Sequence, residues 1–201
     1  MTDRSANSGT CSHPCRWEYD LVEKTRPDES YPVEEDARGT YIMNSRDICL
    51  IDHIPDLVGA GISSLKIEGR MKSLYYVASV TRVYREALDR YRDNPKGYCP
   101  DPLWREELEK VSHRPFGTGF LFGHEDPQIH RDDSHYLRGY DFVGVVKKNL
   151  SGERFLVQGR NRFFAGEELE LLGPDMRTVS FTAGRLSSPE GQELAAGQPN
   201  A

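Results

Sequence analysis

GISSLKIEGRMKSLYYVASVTRVYREALDRYR, residues 61–92, is the stretch whose reading decides the fold. Residues 62–67 (ISSLKI) predict a buried strand that ends in Glu68-Gly69-Arg70-Met71-Lys72. From about Ser73 to Arg92, the residues Leu74, Val77, Ala78, Thr81, Tyr84, Leu88 and Tyr91 recur at steps of three and four. That spacing predicts a long helix with this face turned inward. Just upstream, residues 53–58 (HIPDLV) carry a proline where a first turn would be, and glycines follow at 59 and 61, so a short helix is predicted there. Helix, strand, helix is a piece of β/α architecture.

Working outward, Asn44 and Ser45 offer cap oxygens to a further short helix holding Ile48, Cys49 and Leu50. Strands are expected at residues 16–23, near 30–33 and at 41–43. Asp101-Pro102 opens a helix that runs to about His113 with Leu103, Leu108 and Val111 inward. Residues 112–139 read as loop and hold His113, His124, His130 and His135, the last three of which read as solvated side chains. From Tyr140 the texture changes. DFVGVVKK (141–148), RFLVQG (154–159), EELELLG (167–173) and RTVSFTAGRL (177–186) are short strands at the spacing of a small antiparallel β-barrel. The tail from Ser187, rich in Gly, Pro, Ala and Gln, is expected to fray.

Composition narrows the function classes. The 201 residues are 37% apolar and carry a net charge of −6. Both halves are acidic, which excludes bulk attraction to nucleic-acid phosphate and leaves only a local patch for such a contact. DNA binding is not expected. No apolar run approaches the roughly 18 residues of a membrane span, and the opening MTDRSANSGT has no apolar signal core. A soluble, cytoplasmic chain is the expectation. Its four cysteines, Cys11, Cys15, Cys49 and Cys99, would then be free, metal-bound or reactive rather than paired.

Four motifs could carry chemistry. Cys11-x3-Cys15 can grip an iron or zinc centre with Cys49 as a third ligand, or can be ordinary reduced thiols. In Lys66-Ile67-Glu68-Gly69-Arg70-Met71-Lys72, placed at a strand end, Glu68 can act as a base and Arg70 can clamp a carboxylate or phosphate. An ion pair between strand and helix explains the same residues. Phe116-Gly117-Thr118-Gly119-Phe120 lacks the full span of a nucleotide fingerprint. Arg160-Asn161-Arg162, with Arg154 near and Phe163 and Phe164 adjoining, can contact RNA by stacking and phosphate pairing, or can be a turn with outward arginines.

Taken together these segments resemble the peptidase U32 family, the collagenase-like peptidases. The matching stretches are CSHPCRWEY (11–19), YIMNSRDIC (41–49), GISSLKIEGRMK (61–72), YYVA (75–78), YREA (84–87) and FGTGF (116–120). Residues 141–174, with Arg160-Asn161 and Gly166-Glu167, look like the small β-barrel at the C-terminus of many members. The resemblance implies α/β plus all-β: a partial (β/α) barrel over 1–112, a loop over 113–136, the small antiparallel β-barrel over 137–186 and a flexible tail over 187–201.

Several branches of that family resemble oxygen-independent hydroxylation factors acting on tRNA uridine or the ubiquinone ring, with a [4Fe–4S] cluster on four cysteines. By the resemblance, Cys11 and Cys49 fall at two ligand positions and Cys15 is the alternative partner, while Cys99 matches none. The segment equivalent to residues 1–10 lies in mid-chain in the family, after a half that holds the first barrel strands and two further cysteines. An incomplete ligand set is therefore expected here, along with a separate N-terminal U32 half or a homodimer as partner. The leading expectation is a fragment contributing to iron–sulfur-dependent hydroxylation of tRNA uridine. In it Glu68, Arg70 and Lys72 are the catalytic candidates, and Lys66, Arg160 and Arg162 meet the tRNA. The alternatives are a collagenase-like peptidase and a non-catalytic subunit that completes the N-terminal half. Whether the chain alone is an enzyme stays open.

Overall fold

The computed structural model describes residues 34–36, 39–41, 46–123 and 136–199. They fall into two compact units that do not follow chain order. One joins the described residues up to Leu50 with those from His113 to Leu137; the other joins Ile51–Ser112 with the chain from Arg138 onward. The strands expected at 16–23 and 30–33 lie outside the described residues.

In the first unit, β1 (Glu34–Asp36) pairs antiparallel with β2 (Gly39–Tyr41), Glu34 opposite Tyr41. Next comes β3 (Asp47–Ile48), which pairs parallel with β4 (Phe116–Gly117). This corrects the short helix expected over Ile48, Cys49 and Leu50. Asp47 N donates to Pro115 O at 3.0 Å and Cys49 N to Gly117 O at 2.9 Å. The Asp47 carboxylate also takes the Arg114 side chain at 2.9 and 2.6 Å and its backbone N–H at 3.0 Å. These partners, distant in sequence, override a local capping signal, as tertiary context routinely does. His113, in the stretch expected as loop, is buried, its ring stacked on Phe116 with centroids 4.2 Å apart.

In the second unit, a 3-10 turn at Ile51–His53 leads into α1 (Ile54–Gly59), with Pro55 in the first turn as the sequence predicts. Ile51, Ile54 and Leu57 are buried at helical spacing, and Gly61 at φ 74° ends the segment in the left-handed region open to glycine. Residues 62–69 are a correction. They run on without a ladder partner and form no strand, with Leu65, Ile67 and Gly69 half-buried while Lys66, Glu68 and Arg70 are exposed. The two-residue alternation of an extended chain is present, but no described strand lies alongside to supply the hydrogen bonds that would make a buried strand of it.

The long helix is α2 (Leu74–Asp93), capped by Ser73, whose Oγ accepts from Tyr76 N at 3.2 Å. Its inward face is the opposite of the expected one. Ser79, Val80, Arg82, Val83 and Ala87 are buried, whereas Leu74 is 58% and Val77 39% exposed. Asn94 closes the helix and its Oδ1 accepts from Gly97 N at 3.1 Å. Asp101 then caps α3 (Pro102–Glu109) by accepting from Leu103 N at 3.1 Å. In α3 the buried residues are Trp104, Glu107 and Leu108, with Val111 just beyond, while Leu103, expected inside, is exposed.

From β5 on, the strands are β5 (Gly144–Ser151), β6 (Arg154–Gly159), β7 (Phe163–Phe164), β8 (Glu168–Leu172), β9 (Thr178–Thr182), β10 (Leu186–Ser187), β11 (Glu193–Leu194) and β12 (Ala196–Gly197). They pair antiparallel as β5–β6, β8–β9, β10–β11 and β7–β12, and each described strand has one partner. The tail expected to fray therefore contributes strands of its own, and Ala196 is buried. Two glycines show why it can dock: a Cβ on Gly159 would meet Gln198 O at 2.0 Å, and one on Gly197 would meet the Phe163 ring at 2.3 Å. No described helix is long and apolar enough to cross a membrane.

Candidate functional site

The expected substrate mouth is the stretch Lys66–Lys72. Lys66, Glu68 and Arg70 stand exposed at two-residue spacing along one side of the extended segment. Glu68 Oε1 accepts from Arg70 N at 3.3 Å, a local turn contact. Lys72 parts from them: its Nζ donates to Ser112 O at 2.8 Å and lies 5.2 Å from the centre of the Tyr76 ring. Of the three catalytic candidates, Glu68 and Arg70 are open to solvent and Lys72 ties the start of α2 to the end of the α3 segment.

Of the metal candidates, Cys11 and Cys15 lie outside the described residues. Cys49 is buried at the end of β3, and Cys99 is exposed in the turn before α3. Among the described residues no three His, Cys, Asp or Glu side chains converge as a metal site. Cys49 offers one buried thiol, and one thiol is not the four-cysteine set of a [4Fe–4S] cluster.

The expected RNA-contacting residues occupy the turn between β6 and β7. Arg160 N and Asn161 N both donate to Val143 O, at 2.9 and 3.3 Å, and Asn161 Nδ2 donates to Phe142 O at 3.0 Å. Those bonds hold the turn so that both arginines face outward. Arg160 Nη2 reaches Gln158 Oε1 at 3.3 Å, and the Arg162 guanidinium sits 4.7 Å from the centre of the Phe164 ring. Phe163, its neighbour, is buried, so the alternation of β7 puts one ring in the interior and one at the surface. No hydrogen bond or ring contact among the described residues joins Lys66 to either arginine.

A second charged constellation has the opposite setting. Arg82 on α2 pairs with Glu107 on α3, both nearly sealed from solvent. The same guanidinium reaches Asp175 O at 3.1 Å on the β8–β9 connection and Thr178 Oγ1 at 3.2 Å at the start of β9. Lys110 Nζ continues the chain of charges, donating to Glu107 Oε1 at 2.8 Å and Glu170 Oε2 at 2.9 Å. Burial works against the Lys110 ammonium, but the hydrogen bonds to Glu107 and Glu170 outweigh it and hold its pKa above the ordinary lysine value. Burial also raises the pKa of Tyr75, with Glu107 adding to it. Sequence reasoning missed this seam. The signal was Glu107 standing three and four residues from Trp104 and Val111, on the face that goes inward.

The family model described as Peptidase family U32 matches residues 1–131, and that of the Peptidase family U32 C-terminal domain matches residues 138–201. The chain is 37% identical over 199 residues to tRNA hydroxylation protein P1 of Bacillus subtilis, covering 98% of this chain and 47% of that protein. To tRNA hydroxylation protein P of Escherichia coli it is 34% identical over 239 residues, covering 96% and 51%. A protein named Collagenase, from Porphyromonas gingivalis, is 31% identical over 174 residues, covering 85% and 41%. The chain thus spans about half the length of the curated relatives it matches. No solved structure matches it. On the strength of two family models that together take in nearly every residue, the chain belongs to peptidase family U32.

Proposed function

We propose that this chain contributes to hydroxylation of uridine in tRNA, as the C-terminal part of a U32-family RNA-modifying protein. The observation that carries the reading is its 37% identity, along 98% of its own length, to a protein named for tRNA hydroxylation. The geometry supports it through Arg160 and Arg162, held outward on a braced turn with an aromatic ring beneath one guanidinium. In this reading Lys66, Glu68 and Arg70 form a polar edge facing the substrate, and Cys49, with Cys11 and Cys15, supplies part of a thiolate set completed by thiolates outside this chain. The fold that goes with it is a partial (β/α) barrel followed by a small antiparallel β-barrel, supported by the parallel β3–β4 pair and the antiparallel pairs from β5 onward.

The test is genetic and chemical. Cells lacking their own tRNA hydroxylation protein P receive this chain, alone or with a gene for the upstream half of a relative, and their tRNA is digested and weighed by mass spectrometry. Uridine gaining the mass of one oxygen in the paired expression supports the reading. Unmodified tRNA in both, with the chain present and folded, overturns it.

The similarity to a protein named Collagenase favours peptide hydrolysis as the second reading. Gelatin cleavage that survives Cys11→Ser and Cys49→Ser would move the function there.

A further inference from the structure

We infer that the β5–β6 hairpin, together with the turn into β7, is a binding surface for unpaired RNA, with Lys148, Arg154, Arg160 and Arg162 as phosphate contacts and Phe164 as a base-stacking platform. This rests on the proposed role in tRNA modification and names the part of the substrate that would be held.

The first observation is charge. Between Gly144 and Phe164 the chain carries Lys147, Lys148, Arg154, Arg160 and Arg162 against the lone carboxylate of Glu153, in a protein whose net charge is −6. All five cations are exposed. A cationic island in an acidic chain is the local patch that phosphate attraction requires.

The second is register. Arg154 lies opposite Ser151, Leu156 opposite Lys148, and Gln158 opposite Val145. Residues 154, 156 and 158 therefore share one face of the hairpin, and Lys148 joins them from the other strand. Arg160 extends the row, since its guanidinium reaches back to Gln158. Irregularities after Val146 and after Asn149 leave Lys147 and Leu150 without a register partner. Such bulges bend the strand and re-aim side chains.

The third is the ring. Phe164 is 40% exposed although it belongs to a strand pair, and Arg162 already covers part of it. An exposed aromatic beside arginines is of use to a base that has left its stack. In an A-form duplex the base faces are hidden, and the deep major groove is closed to side chains. Charge plus an open ring therefore favours a loop or bulge over a duplex. The platform is braced from below, because β12 pairs with β7 and Gln198 packs on Gly159.

The experiment uses the full chain and two RNA probes of equal length, a stem–loop with an unpaired loop and a blunt duplex, in a fluorescence-anisotropy titration over a range of salt. The wild type should prefer the stem–loop. K148A/R154A should raise its Kd about tenfold and reduce the salt slope by about 1.4, the value for two phosphate contacts to a single strand. F164L should raise the stem–loop Kd about tenfold and leave duplex binding unchanged, since stacking is lost and charge is not. K96A, an exposed cation outside the hairpin, serves as the control, and circular dichroism checks that each variant is folded. If the wild type binds the stem–loop and the folded hairpin variants match it, the hairpin assignment is overturned while the tRNA reading stands. If the wild type binds neither probe, the hairpin assignment is overturned, and the tRNA reading is decided separately by the mass of the uridine in the paired expression. Equal loss on loop and duplex in F164L overturns the stacking role.

Discussion

Arg82 and Arg154 are the same residue in two settings within one compact unit. Arg82 is sealed among α2, α3, the β8–β9 connection and the start of β9, where Glu107, Thr178 and the Asp175 carbonyl accept from its two terminal nitrogens while its Nε has no hydrogen-bond partner. Arg154 stands in solvent on a two-stranded hairpin beside other cations. Removing the first from water was costly and is offset only because its partners are in place. The second has kept its hydration and can exchange it for a phosphate. The same side chain is thus committed to the fold in one place and available to a ligand in the other, and exposure with partner count tells the two apart.

The largest effect should come from breaking the sealed pair on one side. Glu107→Ala should cost about 3–5 kcal/mol in chemical denaturation, since it strands a buried guanidinium. Arg82→Met combined with Glu107→Leu should recover most of that loss. If Glu107→Ala were as mild as an exposed change, the contrast between the two arginines would collapse. On α2 itself, Val83→Ala should cost about 1–2 kcal/mol by emptying a fully buried site, while Val77→Ala on the outward face should stay within about 0.5 kcal/mol. Equal costs would show that the two faces of the helix do not differ as described.

A pH series sharpens the comparison further. Burial, and then the nearby Asp52 carboxylate, push the Tyr98 hydroxyl up to about 12, against the pull of Arg90. The folded state therefore holds this proton where the unfolded chain, with a tyrosine pKa near about 10, has released it. Stability from Tyr98 is complete below about pH 10 and falls as pH rises toward 12. Tyr98→Phe should flatten that part of the melting-temperature profile, and an unchanged profile would remove Tyr98 as the cause. The smallest effects belong to exposed charges. Arg85→Ala, which breaks an exposed i,i+4 pair with Asp89, should shift the denaturation midpoint least of all these changes. Arg154→Ala should leave stability within about 0.5 kcal/mol, so that any loss of RNA binding is not a loss of fold.

Much of this was legible in the sequence where a local rule governs. Ser73 and Asn94 bracket α2, Pro55 and Gly61 bracket α1, and the turn residues after Asn149 and Gly173 space the strands of the C-terminal part. Arg160 and Arg162 stood out by composition, and their exposure follows from the Asn161 bonds. What could not be read depends on partners far along the chain. The inward face of α2 is chosen by Glu107, Asp175 and Thr178, the last of them 96 residues from Arg82. Periodicity alone pointed to the face of Leu74, Val77 and Tyr84, and no local pattern showed that Arg82 would be buried against Glu107. Residues 47–48 join a strand because Pro115 and Gly117 accept their hydrogen bonds, which no window around Asn44 can show. The bond from Lys72 to the Ser112 carbonyl, 40 residues on, is likewise outside the reach of any local pattern.

The double-sided character of α2 has a consequence for how this sequence tolerates change. An ordinary surface helix shows one stripe of positions that resist polar replacement and a wide permissive arc behind it. Here a saturation scan read by folding should find its intolerant stripe at Ser79, Val80, Val83 and Ala87. The same scan read by solubility should light up the other side, where Leu74 and Val77 present apolar surface to water. Two selections applied to one helix would return two stripes about half a turn apart, each silent in the other's assay.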